Sequence, residues 1–171
     1  MRSPPFNKPR FYVVKGQELP LSGQALLELT RAVLGKGRPF RFRARGWSMA
    51  PFIRDGDAIT LSPLQAALPG VGQVVAFVRG PEERLVVHRV IARRGASVVI
   101  QGDNEPDYAD TRVLPENILG RVTRIERNGR AVWLGLGPER FLIAWLSRTR
   151  RLGPLRERLA GSVPPMVGRY R

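Results

Sequence analysis

Short apolar segments separated by turn-forming residues constrain this chain more than any other feature of its sequence. Segments rich in Val, Ile and Leu recur at 58–61, 73–78, 85–91, 97–100, 118–125 and 131–134. The turn formers between them include Asp-Gly-Asp at 55–57, Arg-Gly-Pro-Glu-Glu at 79–83 and Asn-Gly at 128–129. Strands can be this short, whereas helices in globular proteins normally need about ten residues or more. The pattern therefore predicts a mainly β core.

One helix is predicted before this core and one after it. At 22–34, Leu26, Leu29 and Val33 recur at helical spacing, and Gly35 closes the segment. A second helix is predicted to begin at Pro138 and to stop at Gly153-Pro154. It has an apolar stripe opposed by arginines; the stripe is Phe141, Leu142, Trp145 and Leu146, and the arginines are Arg148, Arg150 and Arg151. The tail is thus a basic amphipathic helix, which is expected to dock onto its own domain through the stripe.

The pattern divides the chain into three parts. Residues 1–37 are predicted to form an N-terminal extension with a helix and a short strand at 10–14. Residues 38–136 are predicted to form the β domain, which starts with an alternating strand at 40–45, and residues 137–171 a basic helical tail. The fold class expected is mainly β, built of short strands with a helix at each end.

The positive charge of the chain sits on its flanks. Its 171 residues carry a net charge of +15. Residues 1–45 hold ten basic and two acidic residues and residues 129–171 hold nine and two, while the stretch between them is formally neutral. Such flanks suit an anionic lipid surface, an acidic partner or nucleic acid, or serve only as a solubilising surface. Nucleic acid is disfavoured because the centre of the chain is neutral and no helix-turn-helix pattern is present.

Residue counts exclude several kinds of site. The chain has no cysteine, so disulfides, thiolate metal sites and cysteine nucleophiles are ruled out. With one histidine, a histidine zinc site is hard to build, and no cofactor is predicted. The apolar runs are far shorter than the roughly 20 residues that span a bilayer, and no apolar export segment comes after the amino terminus. The expected location is therefore cytoplasmic or peripheral to a membrane.

Ser48 is the candidate nucleophile. It lies in Arg-Ala-Arg-Gly-Trp-Ser-Met-Ala-Pro-Phe-Ile-Arg-Asp-Gly-Asp at 43–57, between a glycine turn and a methionine. A serine hydroxyl needs a base that removes its proton, usually a histidine or a desolvated lysine. Lys8, Lys15 and Lys36 all precede Ser48 in the extension or its helix, which leaves His88, the only histidine.

His88 is predicted to project from the middle of a strand. Strand alternation places its side chain on one face with Val86 and Val90. A rigid, partly apolar setting favours the neutral imidazole, which is the form that acts as a base. A structural role is the alternative for a lone strand histidine.

A third group would orient the imidazole and stabilise its charged form. The segment Gln-Gly-Asp-Asn-Glu-Pro-Asp-Tyr-Ala-Asp-Thr-Arg at 101–112 offers Asp103, Asp107 and Asp110. Ordinary turn chemistry is the alternative for each of them, and it is the favoured interpretation for Asp107.

Five ordered motifs carry a family resemblance. They are Gly-Trp-Ser-Met-Ala-Pro at 46–51 with Arg-Asp-Gly-Asp at 54–57, Gly-Gln-Val-Val-Ala-Phe at 72–77, Val-His-Arg-Val-Ile at 87–91, Gly-Asp-Asn at 102–104 with Asp-Thr-Arg at 110–112, and Ile-Leu-Gly-Arg-Val at 118–122. In this order they resemble the type I signal peptidase superfamily, which includes the LexA-type self-cleaving proteins. The resemblance covers residues 40 to 127, about half of the chain, and implies the β-fold of that superfamily.

The resemblance also implies catalytic roles. Leader peptidases and LexA-type proteins use a serine–lysine dyad, whereas the archaeal, endoplasmic-reticulum and sporulating-bacterium branch has histidine in place of the lysine, as this chain does at His88. Ser48 would attack the scissile carbonyl, and His88 would act as general base and then as general acid. Asp110 would orient His88 and Asp103 would hold its loop, although these two roles could be exchanged.

Substrates of the superfamily bind as an added β-strand. The resemblance therefore implies a cleft lined by Gly46, Trp47, Met49, Pro51, Leu85, Val86 and Val87. Phe42 and Phe52 either line it too or pack in the core. The backbone N–H of Ser48 would bind the oxyanion, while the hydroxyl that some leader peptidases carry two residues before the nucleophile is replaced by Gly46.

The leading hypothesis is a serine endopeptidase of the signal peptidase I type that cuts a peptide or a precursor protein. A non-catalytic basic binding module with the same fold and a self-cleaving LexA-like protein are the alternatives. Signal peptidases are membrane-anchored, and this sequence has neither anchor nor export signal, so peripheral contact of the basic flanks with an anionic membrane is a further expectation. The substrate and the oligomeric state are left open.

Overall fold

The computed structural model describes residues 23–64, 67–104 and 111–149. Within these ranges the chain forms a mainly β fold with a helix near each end, as predicted. The elements are α1 Gly23–Gly35, β1 Phe40–Arg43, β2 Ala58–Pro63, β3 Val74–Arg79, β4 Arg84–Arg94, β5 Ser97–Gln101, β6 Thr111–Val113, a 3-10 turn Pro115–Asn117, β7 Ile118–Arg127, β8 Arg130–Val132 and α2 Arg140–Arg148. The predicted strand at 10–14 lies outside the described residues.

The strands form one antiparallel sheet. Their order is β1-β2-β7-β3-β4-β5-β6, and β8 pairs with β7. Strands β3, β4 and β5 follow one another as a meander, whereas β2 pairs with the distant β7. This long-range pairing brings the turn after β1 next to the β3–β4 hairpin.

Both faces of β3 are buried. Val74 and Ala76 belong to one apolar cluster, which also contains Leu34 of α1. Val75 and Phe77 belong to a second cluster on the other side of the sheet. A strand that is buried on both faces reads as a continuous apolar run rather than as an alternating one, which explains the unbroken segment at 74–77.

Several strand edges of the sheet have no partner among the described residues, and two of them lie near the turn after β1. Strand β1 pairs with β2 on one side only. The first half of β4 pairs only with β3, because its pairing with β5 begins at Arg89. An open strand edge presents unpaired N–H and C=O groups that can bind another strand.

Helix α2 docks onto the domain through a different face from the predicted one. It buries Ile143, Ala144 and Ser147, and Ile143 packs against Phe52. The stripe that was expected to be buried is mostly exposed: Phe141, Leu142 and Trp145 are each more than half exposed, and Leu146 alone packs inward. The small side chains of Ala144 and Ser147 let the helix approach the sheet closely, which the bulky aromatic face would prevent.

The start of α2 also differs from the prediction. The helix begins at Arg140 rather than at Pro138. The Glu139 carboxylate accepts hydrogen bonds from the N–H groups of Gly135 and Gly137 at 2.7 and 3.0 Å. Because these bonds hold the incoming loop in a turn, the chain enters the helix only after Glu139.

Candidate active site

A tight turn after β1 carries Ser48. The β1–β2 ladder continues through Ala44, whose N–H donates to Asp57 O at 2.8 Å. The chain then reverses at Gly46, which has a φ of 93° that a residue with a side chain adopts only at a cost. The Gly46 N–H donates to Asp55 Oδ1 at 2.8 Å. The turn therefore fixes the backbone two residues before the serine.

A second carboxylate in this turn anchors it to the sheet. Asp57 is 3% exposed and accepts a hydrogen bond from the Arg54 N–H at 2.8 Å. It also forms an ion pair with Arg127 of β7 at 2.7 Å. Sequence reasoning treated Asp-Gly-Asp at 55–57 as a turn and as part of a family motif, but gave its carboxylates no role. The acids on both sides of the glycine were the signal that the turn is also held by side chains.

His88 lies in the middle of β4 and is buried. Its ring centroid is 6.0 Å from that of Phe77, so the imidazole faces the cluster that contains Val86 and Val90, as predicted. Burial, and after it the positive charge of Arg79, lower the pKa of His88 from 6.5 to about 4. The imidazole is therefore neutral near pH 7 and can accept a proton.

Ser48 and His88 line the same cavity, which has a volume of about 650 Å³. Among the described residues, no hydrogen bond joins the Ser48 hydroxyl to the His88 ring; such catalytic contacts are often long without substrate and tighten when it binds. Six of the residues predicted to line the substrate cleft also line this cavity: Gly46, Trp47, Met49, Leu85, Val86 and Val87.

The other predicted lining residues divide between the cavity and the core. Pro51 is buried in the turn and is not among the residues that line this cavity. Of the two phenylalanines, Phe42 lines the cavity and Phe52 packs in the core against Ile143.

Asp103 is engaged by Arg89, which is next to His88 in the sequence. Asp103 Oδ1 accepts from Arg89 Nε at 2.8 Å, and Asp103 Oδ2 accepts from Arg89 Nη2 at 2.7 Å. Both side chains are fully buried, and the Ser147 hydroxyl of α2 lies 3.5 Å from the same carboxylate. This bidentate geometry supports the expected role of Asp103 in holding its loop rather than in orienting the imidazole.

Arg89 also binds two further loops near the site. Its Nη1 donates to Gly72 O at 2.9 Å and to Gly135 O at 2.7 Å, and its guanidinium lies 5.5 Å from the Phe52 ring centroid. Gly135 has a φ of 99°, and a Cβ there would meet Phe52 at 3.0 Å. Sequence reasoning missed Arg89, and nothing in the strand pattern marks it as buried.

The loop after β5 touches the serine directly. The Asn104 N–H donates to Ser48 O at 2.7 Å. The ion pair of Asp103 with Arg89 thus positions a loop that holds the backbone of the candidate nucleophile. Asp107 and Asp110 lie outside the described residues, so the orienting role of Asp110 stays a prediction.

Two kinds of feature are absent from the described ranges. In residues 23–64, 67–104 and 111–149, no group of three or more His, Asp or Glu side chains could hold a metal ion. No helix within those same ranges is long and apolar enough to cross a membrane.

Comparison with known proteins identifies one family. A family model described as Peptidase S24-like matches residues 15–123, which is more than half of the chain. A search of curated proteins found no match. The matched region contains the turn of Ser48, strand β4 with His88, and the Asp103 loop.

Proposed function

Because the chain belongs to the Peptidase S24-like family, within the LexA and signal peptidase superfamily, we propose that it is a serine endopeptidase in which Ser48 is the nucleophile and His88 the general base. One observation carries this proposal: a half-buried serine on a fixed turn and a buried, neutral imidazole line one cavity. The finer assignment, to enzymes of the signal peptidase I type with histidine as the base, rests on the motifs around these residues.

The two side chains supply a complete acyl transfer. His88 removes the proton from the Ser48 hydroxyl as its oxygen attacks the scissile carbonyl. The imidazolium then gives that proton to the leaving amine, and an acyl-enzyme forms. Water, deprotonated by the same imidazole, releases the acid and restores the serine. The Ser48 backbone N–H, held by the turn at Gly46, is the proposed oxyanion donor.

The open edges of the sheet offer a place for the substrate backbone. Among the described residues, the outer edge of β1 and that of the first half of β4 have no strand partner. Both edges border the cavity, through Phe42 and Arg43 on one side and Leu85 to Val87 on the other. An extended peptide between these edges would add a strand to the sheet, with alternate side chains directed into the cavity. This arrangement supports the binding of a peptide or of an extended segment of a precursor protein.

The test is the cleavage of precursor peptides encoded by neighbouring genes, monitored by intact-mass analysis. We expect the wild-type chain to cut such a peptide and the Ser48→Ala variant to lose at least about a thousandfold in rate, while its thermal unfolding stays unchanged. Thr60→Ala is the control for a lost hydroxyl, because Thr60 lies on β2 outside the cavity. Equal cleavage by wild type and Ser48→Ala would remove the proposal.

Self-cleavage is a second candidate, which the family match favours because the superfamily includes LexA-type proteins. It needs a scissile bond within the chain itself. Intact-mass analysis of the purified wild-type chain against Ser48→Ala decides it. A fragment pair that forms only in the wild type, at a rate independent of protein concentration, supports cleavage within one molecule.

A non-catalytic binding module with the same fold is the remaining alternative. Such a module would bind through its basic flanks, so its affinity would fall steeply with salt and would not depend on Ser48. Binding of an acidic partner that is identical in wild type and Ser48→Ala, without any cleavage, would favour this alternative.

A further inference from the structure

The rim of the cavity is strongly cationic. Among the described residues, four arginines line it, Arg43, Arg45, Arg79 and Arg84, together with one acid, Glu82. The arginines come from two separate elements, the β1 side and the β3–β4 hairpin. Because the Arg43 guanidinium donates to Gly56 O at 2.9 Å, Arg45 is the main source of positive charge on the β1 side, and Arg79 and Arg84 lie on the hairpin side.

The hairpin end holds two arginines in direct opposition. Arg79 of β3 pairs in register with Arg84 of β4. Like charges directly opposite each other destabilise a strand pair. Glu82 forms an ion pair with Arg84, but both side chains are more than two-thirds exposed, and such a pair contributes little. The other acid of the hairpin, Glu83, forms its ion pair with Arg31 of α1. Arg79 and Arg84 therefore lie beside the open edge of β4, with Glu82 as the hairpin acid that lines the cavity with them.

The charge of Arg79 also acts on the proposed base. After burial, it is the second cause that lowers the pKa of His88. An anion bound near Arg79 would offset this charge at the imidazole. The same arginine is therefore placed to act on both a bound peptide and the base.

Arg45 lies on the β1 side of the cavity, opposite the β3–β4 hairpin. It is exposed and lies between the open edge of β1 and the turn at Gly46. A peptide strand laid between the β1 and β4 edges would pass between Arg45 and the hairpin arginines. Arg84 is four residues from His88 along β4, about 13 Å at the rise of a strand. These charges would therefore meet peptide side chains within about four residues of the cleaved bond.

We propose that this cleft selects extended peptides that carry Asp or Glu within about four residues of the cleaved bond. The proposal rests on the proposed function for the position of that bond. Arg45, Arg79 and Arg84 are the residues that determine this specificity. Their charges focus an attractive field into a cleft with apolar walls, where it acts more strongly than on an open surface.

The test measures binding to the full-length Ser48→Ala chain by fluorescence anisotropy, so that no cleavage intervenes. Three labelled decapeptides share an alanine-rich centre and carry a pair of Glu, Ser or Lys residues on each side. We expect the Glu peptide to bind about tenfold more tightly than the Ser peptide at low salt, and this preference to shrink at high salt. The Lys peptide should bind most weakly.

Charge variants locate the effect. Arg45→Glu and Arg79→Gln, each made in the Ser48→Ala chain, should weaken binding of the Glu peptide about three- to tenfold while changing the Ser peptide little. Arg93→Glu is the matched control, because Arg93 is an exposed arginine at the other end of β4 and does not line the cavity. It should leave both affinities unchanged.

Two results would overturn the proposal: equal affinity for the Glu and Ser peptides, or a loss in Arg93→Glu as large as in Arg45→Glu. The second result would show attraction to the net charge of the chain rather than to the cleft. Failure here is distinct from failure of the proposed function. If cleavage depends on Ser48 but not on peptide charge, only the proposed acidic preference is contradicted. If Glu peptides bind tightly but are never cut, only the proposed peptidase function is contradicted.

Discussion

The environment of His88 favours the uncharged imidazole. The side chain is 4% exposed, lies beside Phe77 and feels the charge of Arg79. A base with a pKa of about 4 is fully available at pH 7, yet it accepts a proton weakly, because a good general base has a pKa near the working pH. Negative charge close to the ring would raise that pKa. The resemblance assigns such a charge to Asp110, and a bound acidic peptide would supply another.

The low pKa of His88 predicts a pH-dependent stability that needs no knowledge of the substrate. Between pH 6.5 and about 4 the unfolded chain binds a proton at this residue and the folded chain does not. The neutral His88 therefore contributes about 3 kcal/mol to the free energy of unfolding above pH 6.5, and this contribution is lost as the pH falls towards 4. Urea unfolding at a series of pH values measures it.

His88→Gln is the variant for this measurement, since it removes the titration and keeps a polar side chain of similar size. Its unfolding free energy should lack the His88 part of the slope between pH 4 and 6.5. Identical slopes in wild type and variant would contradict the low pKa.

At the scale of elements, the loops around the site are held by buried charge rather than by strand pairing. Arg89 projects from β4 and binds the loops that contain Gly72, Asp103 and Gly135. The Asp103 loop in turn binds the backbone of Ser48 through Asn104. One side chain of a central strand therefore fixes the relative positions of the nucleophile turn and of the loops beside it.

Breaking this ion pair should destabilise the whole domain. Asp103→Ala leaves the Arg89 guanidinium buried without its carboxylate, and the expected loss is about 3–5 kcal/mol in the unfolding free energy. The double variant Arg89→Met with Asp103→Leu should recover part of that loss, because it removes the buried charge together with its partner. Denaturant unfolding compares the two, and a single variant as stable as wild type would contradict the role given to the pair.

The exposed face of α2 gives the expected membrane contact a definite location, although the contact stays a prediction. Phe141, Leu142 and Trp145 share this face with the exposed Arg148. Aromatic and basic side chains on one helix face suit the interface of an anionic bilayer. We expect the full chain to sediment with phosphatidylglycerol vesicles and not with phosphatidylcholine vesicles.

Variants of α2 test this contact. Replacing Phe141 and Trp145 by Ser should reduce vesicle binding roughly tenfold, because both side chains would enter the interface. Leu114→Ser is the control, since Leu114 is an exposed apolar residue outside α2. Equal binding by the aromatic variant and the control would show that this helix does not hold the membrane.

At the scale of the molecule, α2 is packed into the domain that carries the site. It covers Phe52, buries Ile143 and Ala144, and brings the Ser147 hydroxyl near Asp103. The division of the chain at 136 and 137 into a β domain and a tail stays a prediction. The packing of α2 nevertheless shows that the described part of this tail contributes to the core.

Two truncated chains separate the contribution of α2 from that of the residues after it. A chain that ends at Leu136 should lose about 3–5 kcal/mol in unfolding free energy, because Phe52 loses the side chains that cover it. A chain that ends at Thr149 keeps α2 and is the reference for this comparison. Thermal unfolding measures both, and equal stability of the two truncated chains would mean that α2 adds nothing to the core.

Much of the fold could be predicted from the sequence. Short apolar segments between turn formers located β2 to β5, β7 and β8, and period-two alternation located β1. Helical spacing located α1, because it records which face of the helix is buried. Strand β6 was missed, since Thr-Arg-Val at 111–113 is too short to show a period. For α2 the pattern gave the helix but the wrong buried face, because the fit of Ala144 and Ser147 against the sheet depends on shape and not on hydrophobicity alone.

By itself the sequence determined which groups the chemistry can use: one histidine, no cysteine, and a serine in a glycine turn between strands. These depend on composition and on local backbone preference, which neighbouring residues alone decide. Only the tertiary structure decided that Ser48 and His88 share a cavity, that Arg89 is buried against Asp103, and that arginines from two distant elements face one cleft. Such facts depend on the pairing of β2 with β7 and on the packing of loops against the sheet, and contacts between residues far apart in the chain leave no period in the sequence.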